Sequence, residues 1–157
     1  YSALASKETP TALVLSRQNL NPVGGTSREA LKGGYVINDC EGTPEVILIA
    51  SGSEVDLAVK AKEMLAAEGR KVRVVSMPSM DIFEEQSAEY RESVLPKTVR
   101  RRVAVEVLGT FGWERYTGLD GVTVGMNSFG ASAPAGELFR HFGFTAERVA
   151  EAARGLF

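Results

Sequence analysis

A three-layer α/β/α fold around a mostly parallel sheet is predicted by three features of this sequence. From about residue 34 onward, short apolar runs alternate with amphipathic stretches that begin near Ser or Thr and end near Gly or Pro. The run Val46-Ile47-Leu48-Ile49-Ala50 shows no apolar–polar alternation, which marks a central parallel strand buried on both faces. That run, the helical stretch after it and Val72-Arg73-Val74-Val75-Ser76 together form a βαβ unit of about thirty residues. Right-handed crossovers follow from strand twist.

Each element has a local justification. Tyr35–Asn38 is a short strand, followed by turn material from Asp39 to Pro44. Ser53 is placed to cap the next helix, with Asp56 at the capping-box position and Asp56–Lys60 in the favourable i,i+4 order. Val55, Ala58, Val59, Leu65 and Ala66 form its apolar arc, and Gly69 fits the position just past its end. Residues 77–97 read as irregular, with Ser87 capping a helix to Leu95 that Pro96 stops. Val103–Glu106 and Val122–Gly125 are strands, with a helical turn between them over 111–116. Ser132 is expected to cap a helix with Pro134 in its first turn and Gly143 past its end. Thr145 caps the last helix, with Glu147 early and Arg154 late, as the helix dipole favours.

Residues 1–33 stand outside this alternation. Thr11–Leu15, after Pro10, reads as a buried strand without an adjacent partner. Ser27–Leu31 makes one helical turn, stopped by Gly33-Gly34. The chain opens on Tyr1, with no initiator Met and no secretory pattern, which suggests a processed product or a piece of something longer.

Composition narrows the function classes. The 157 residues are enough for one ordinary domain, and 44% apolar with 24% charged is normal for a soluble globular protein. A net charge of −2 gives no nucleic-acid footprint, and no run approaches the roughly 20 apolar residues of a membrane span. Cys40 is the single cysteine, so no internal disulfide can form; it reads as an inert buried thiol. His141 is the single histidine, which excludes any mechanism needing two histidines from this chain and reads as a surface or packing residue. No metal site and no catalytic residue are assigned.

Three places remain for chemistry. Gly24-Gly25 and Gly33-Gly34 lack the three-glycine dinucleotide spacing and read as turns. Ser51-Gly52-Ser53 lies between a parallel strand and a helix N-terminus, where free N–H groups favour an anion. Glu54 complements the same dipole without a ligand, and the ligand-free capped helix is the favoured reading. Lys97, Arg100, Arg101 and Arg102 could hold phosphates, but Glu84, Glu85, Glu89 and Glu92 point instead to surface ion pairs or a domain contact. Arg17 follows an apolar run at a position where α/β ligand crevices open, and its planar fork suits phosphate oxygens. An interface ion pair would use the same features equally well.

Several segments, taken in order, resemble the transketolase family. Pro10-Thr11-Ala12-Leu13-Val14-Leu15-Ser16-Arg17-Gln18-Asn19-Leu20 resembles the end of its pyrimidine-binding domain. Gly33-Gly34-Tyr35-Val36 resembles the entry to its C-terminal domain. Ile49–Val55, Val74–Ser79, Tyr90–Pro96, Val103–Glu106 and Phe129–Pro134 continue the match. The departures are a short Asn21–Ser27 loop and His141 where an acidic residue is common, which argues against a shared role for His141.

The resemblance implies a homodimeric, cytoplasmic enzyme of the pentose phosphate pathway and Calvin cycle, dependent on thiamine diphosphate and Mg²⁺. It would move a two-carbon ketol unit from a ketose phosphate to an aldose phosphate, with the cofactor carrying the hard step. Residues 1–33 would be the tail of the pyrimidine-binding domain and a linker, and 34–157 the C-terminal domain. That domain is expected to be a five-stranded mixed sheet whose first strand, Tyr35–Asn38, runs antiparallel. Arg17 would contact the sugar phosphate. The residues that activate the cofactor would lie upstream, so this segment binds neither cofactor nor metal and is inactive alone. The rival readings are a structural or regulatory module taking an anion at Ser51–Ser53, and a piece of dihydroxyacetone synthase or deoxyxylulose-phosphate synthase.

Overall fold

The computed structural model describes residues 2–157. After a short helix α1 (Ser2–Ala5) and an extended segment, a single turn of 3-10 helix spans Arg28–Lys32. The remaining elements are β1 (Tyr35–Asn38), β2 (Val46–Ala50), α2 (Glu54–Ala67), β3 (Val72–Ser76), α3 (Met80–Glu84) and α4 (Ala88–Val94). They continue with β4 (Arg102–Glu106), α5 (Glu114–Thr117), β5 (Val122–Gly125), α6 (Ala135–His141) and α7 (Ala146–Arg154).

The five strands form one sheet in the order β1-β3-β2-β4-β5. β2 pairs in parallel with both β3 and β4, β4 pairs in parallel with β5, and β1 runs antiparallel to β3. The expected five-stranded mixed sheet with one antiparallel first strand is therefore present. All five residues of β2 are fully buried, as its unalternating sequence requires.

Two cores result. On one face, Leu48 and Val74 pack with Val55, Ala58 and Leu65 of α2 and with Val149 and Ala153 of α7. On the other, Ile47, Ile49 and Val75 pack with Phe83, Val94, Trp113 and Tyr116. Burying each large aliphatic side chain stabilises the fold by about 1.5–3 kcal/mol, so helices must cover both faces.

The helix ends follow the chemistry of their flanking residues. Ser27, Ser79, Ser87 and Thr145 each accept a backbone N–H from the first turn that follows. At the end of α2, Gly69 (φ 81°) lies just past the cap, with Gly69 N donating to the Ala66 carbonyl and Arg70 N to that of Leu65. Gly33 (φ 80°) ends the 3-10 turn, and a side chain there would collide with the backbone of Ser79 and Phe83. Tyr90 Oη donates to the Gly34 carbonyl at 2.9 Å, and Lys32 Nζ lies 4.4 Å over its ring, tying this turn to α4.

Several expectations are corrected. Thr11–Leu15 is not a strand: it is irregular and exposed, because no described strand lies beside it to pair with its backbone. Ser132 does not cap α6; Pro134 occupies that position, fixing the extended backbone from which the helix starts at Ala135. Ala66 of the proposed apolar arc is exposed, and Glu54, in the first turn of α2, is buried. Cys40 is half-buried rather than buried. The side chains of the basic run form no ion pair with the glutamates of α3 and α4, although Glu92 accepts the Lys97 backbone N–H: Arg100 contacts Asp120, Arg101 Nε donates to the Leu156 carbonyl, and Arg102 donates only to carbonyls. Of these acids Glu84 forms an ion pair, with Arg91 at 2.6 Å.

Truncating the central strand tests this account. Leu48→Ala is expected to destabilise the chain by about 2–5 kcal/mol, read as a fall in the urea midpoint. A loss below about 1 kcal/mol would place Leu48 outside a tightly packed core.

Candidate functional site

The candidate site lies where β2 delivers the chain into α2, at the carboxyl end of the parallel strands. This is where open α/β sheets place their ligand crevices. Residues 18–23 of the extended segment lie beside the start of α2 and of α6, and together they bound an open cleft of about 390 Å³. Gln18, Asn19 and Asn21 supply polar groups, Leu57 and Phe139 the apolar wall, and Ser53 and Gly52 one edge.

Gly52 has φ 53°, a left-handed conformation natural to glycine. A Cβ there would lie 3.9 Å from Ser16 Oγ, so the segment bearing Arg17 passes close to this turn. Two separately chosen candidates, Arg17 and Ser51–Ser53, thus sit at the same edge of the sheet. Arg17 itself is exposed.

Ser53 does not cap α2. Its backbone is already helical, and its Oγ donates to Glu54 Oε2 at 3.1 Å instead of accepting a backbone N–H. The Ser51 carbonyl receives Glu54 N at 3.1 Å. Glu54 is the residue that reading the sequence missed as a buried group. It is only 3% exposed, and its Oε1 accepts Val107 N at 3.3 Å from the end of β4. Glu106, on β4, accepts Leu108 N at 3.0 Å. These two acids hold the loop after β4 by its backbone donors. Burial pushes both carboxyls above their ordinary value, and the charge of Glu106 pushes Glu54 further in the same direction. An anion at the start of α2 would face this carboxylate pair and Asp56, which is bound to Lys60 at 2.6 Å. A sequence signal for Glu54 existed: an acid directly after a Gly-containing strand-to-helix turn, facing the next parallel strand.

The other candidates lie apart. His141 is exposed, its ring edge-on to Phe142 at 4.8 Å. Cys40 N donates to Asp39 Oδ1, and Asp39 forms a two-point ion pair with Arg73 at 2.9 Å. Among the described residues, no three His, Cys, Asp or Glu side chains converge as a metal site, and no helix is long and apolar enough to cross a membrane.

A five-stranded mixed α/β/α domain with an open cleft at the carboxyl edge of its sheet is a class shared by many binding and catalytic proteins. Comparison with known proteins narrows it. Residues 33–145 match the family model described as the transketolase-like TK C-terminal domain. Transketolase 2 of Vibrio parahaemolyticus is 54% identical over 157 residues, covering 98% of this chain and 24% of that protein. The solved transketolase of Leishmania mexicana superposes with a TM-score of 0.92 at 46% identity, over 99% of this chain and 22% of that one. A transketolase from Pichia stipitis, solved in complex with sedoheptulose 7-phosphate, superposes at 0.81 with 45% identity, over 89% and 20% of the two chains. The chain belongs to the transketolase family and carries its C-terminal domain. It spans about a quarter of the length of the curated relatives it matches.

The buried acid has a measurable signature. Because burial holds Glu54 above its ordinary 4.5, the folded chain binds this proton more tightly than the unfolded chain. Ionising Glu54 therefore costs stability, beginning near that value and growing as pH rises through the raised folded value. Glu54→Gln is expected to show a shallower decline in urea-unfolding free energy from about pH 4 to about pH 7. Equal declines in both chains would remove Glu54 as the cause.

Proposed function

We propose that this chain is the C-terminal portion of a transketolase that transfers a two-carbon ketol unit from a ketose phosphate to an aldose phosphate. The observation that carries this reading is the 54% identity to a curated transketolase across 98% of the chain. The complex of the Pichia stipitis relative with sedoheptulose 7-phosphate supports phosphorylated sugars as substrates. Thiamine diphosphate supplies the carbanion-stabilising chemistry in this reading. The residues present do not fit that cofactor's metal: no cluster of three suitable donors exists among the described residues. The cofactor and Mg²⁺ are therefore assigned to the parts of the enzyme outside this chain.

In this reading residues 1–33 belong to the pyrimidine-binding domain and its linker, and residues 34–157 to the C-terminal domain. Support comes from Leu13, Val14 and Leu15, which are 71%, 90% and 78% exposed in a run that pairs with no described strand. Such a run suits a strand whose neighbours lie outside this chain. Arg17 is the phosphate ligand of this proposal: it is exposed, always charged, and carried beside the carboxyl edge of the sheet. It is favoured over Ser51–Ser53, where Glu54 and Asp56 oppose an anion. The enzyme is further assigned as a cytoplasmic homodimer.

Arg17→Ala in the full-length enzyme is expected to raise KM for phosphorylated sugars about ten- to a hundredfold, the value of a charged hydrogen bond, with kcat little changed. Steady-state kinetics with a phosphorylated and a non-phosphorylated ketose would separate the effect; an unchanged KM for both would sink the assignment. The 157-residue chain alone, given thiamine diphosphate and Mg²⁺, is expected to show no ketol transfer in a coupled assay. Turnover above background would overturn the division of labour.

A further inference from the structure

A second cleft, of about 340 Å³, opens on the opposite face of the sheet between α3, α4, α5 and the loop leading into β4. Its volume lies at the lower end of small-ligand sites. Four cations line it, Arg91, Lys97, Arg102 and Arg115, against two carboxylates, Glu84 and Glu92. Both carboxylates are already engaged. Glu84 accepts Arg91 Nη1 at 2.6 Å through one oxygen and Tyr116 Oη at 3.0 Å through the other. Glu92 Oε1 accepts the backbone N–H of Lys97 at 2.8 Å.

The cations are less well matched. Arg102 is half-buried and donates to the carbonyls of Val99, Tyr116, Leu95 and Pro96 at 2.8–3.1 Å. Neutral carbonyls fix its guanidinium in place without cancelling its charge. Burial is also the main influence on its protonation, and it acts against the charged form. Arg91 Nε is buried and donates to nothing. Among the described residues, neither Lys97, Arg102 nor Arg115 makes an ion pair. The local excess is two positive charges, one of them on a guanidinium held rigidly by the backbone.

We propose that this cleft is a binding site for a phosphate-sized dianion, contributed by inorganic phosphate or by the phosphoryl group of a small metabolite. A dianion matches the excess charge. Guanidinium groups bind phosphoryl oxygens through paired, charge-assisted N–H donors. Arg102, most of whose N–H groups are already given to carbonyls, contributes a fixed positive charge at the floor of the site, and the exposed Lys97 and Arg115 supply the free donors. This site is separate from Arg17 and from the cleft at the carboxyl edge.

The test titrates the isotope-labelled 157-residue chain with inorganic phosphate and with glycerol 3-phosphate, following amide shifts by NMR at constant ionic strength. Saturable shifts confined to residues 83–102 and 115–116 are expected. Lys97→Ala and Arg115→Ala should each weaken binding about tenfold. Arg140→Ala, the same loss of charge on exposed α6, should leave it unchanged. Tighter binding of the ester assigns a metabolite as the source, and equal or weaker binding assigns free phosphate; both uphold the site. No saturation at tens of millimolar would overturn the proposal. So would equal weakening by Arg140→Ala, which would mark only diffuse charge attraction.

Discussion

The complete burial of β2 is the constraint on which the rest of the domain depends. A strand with Val46 to Ala50 all removed from water must have paired neighbours on both sides and helices on both faces. β3 and β4 supply the neighbours, α2 with α7 one cover, and α3 to α5 the other. Parallel pairing in turn sends every crossover back across a face, so the carboxyl ends of β2, β4 and β5 gather at one edge. The Gly52 turn, Glu54, Glu106 and the cleft beside residues 18–23 exist there as a result.

Much of this was legible in the sequence because it rests on local chemistry. The unalternating β2 run, the Ser and Thr caps at 87 and 145, and the glycines past α2 and α6 each announce their role within a few residues. What was not legible depends on contacts distant in sequence. Thr11–Leu15 has strand composition but no described partner, and composition cannot create one. Ser53 looked like a cap, yet the pull of Val107 N on the Glu54 carboxyl brings that side chain inward, and Ser53 Oγ follows it. Arg102 looked like one of several surface cations until the fold placed four carbonyls around it, three from the loop before β4 and one from Tyr116. At the candidate site, sequence reading found Arg17 and Ser51–Ser53 separately. Their nearness depends on the path of an extended segment that has no periodic signal.

The two faces of the sheet manage buried charge in opposite ways. At the carboxyl edge, Glu54 and Glu106 are like charges near one another, relieved by backbone donors and by a raised proton affinity. Beneath α4, Arg102 cannot shed its proton and is held by carbonyl dipoles and the charge of nearby Glu92. The first arrangement is adjustable by pH, while the second is fixed and positive at all physiological pH values. One domain thus carries a titratable edge and a permanently cationic hollow on separate surfaces.

The strand order also governs how this domain comes into being. β1 is made first but pairs with β3, not with β2. From Asn38 to Val72 the ribosome must add 34 residues before β1 meets its partner, roughly 2 to 7 seconds at ordinary rates of synthesis. The central strand waits longer still, because its second neighbour, β4, begins at Arg102. The sheet therefore cannot grow by adding hairpins as the chain emerges. It assembles around β2 only when most of the domain has been translated, and until then the most apolar run of the domain stays in water or in the keeping of a chaperone.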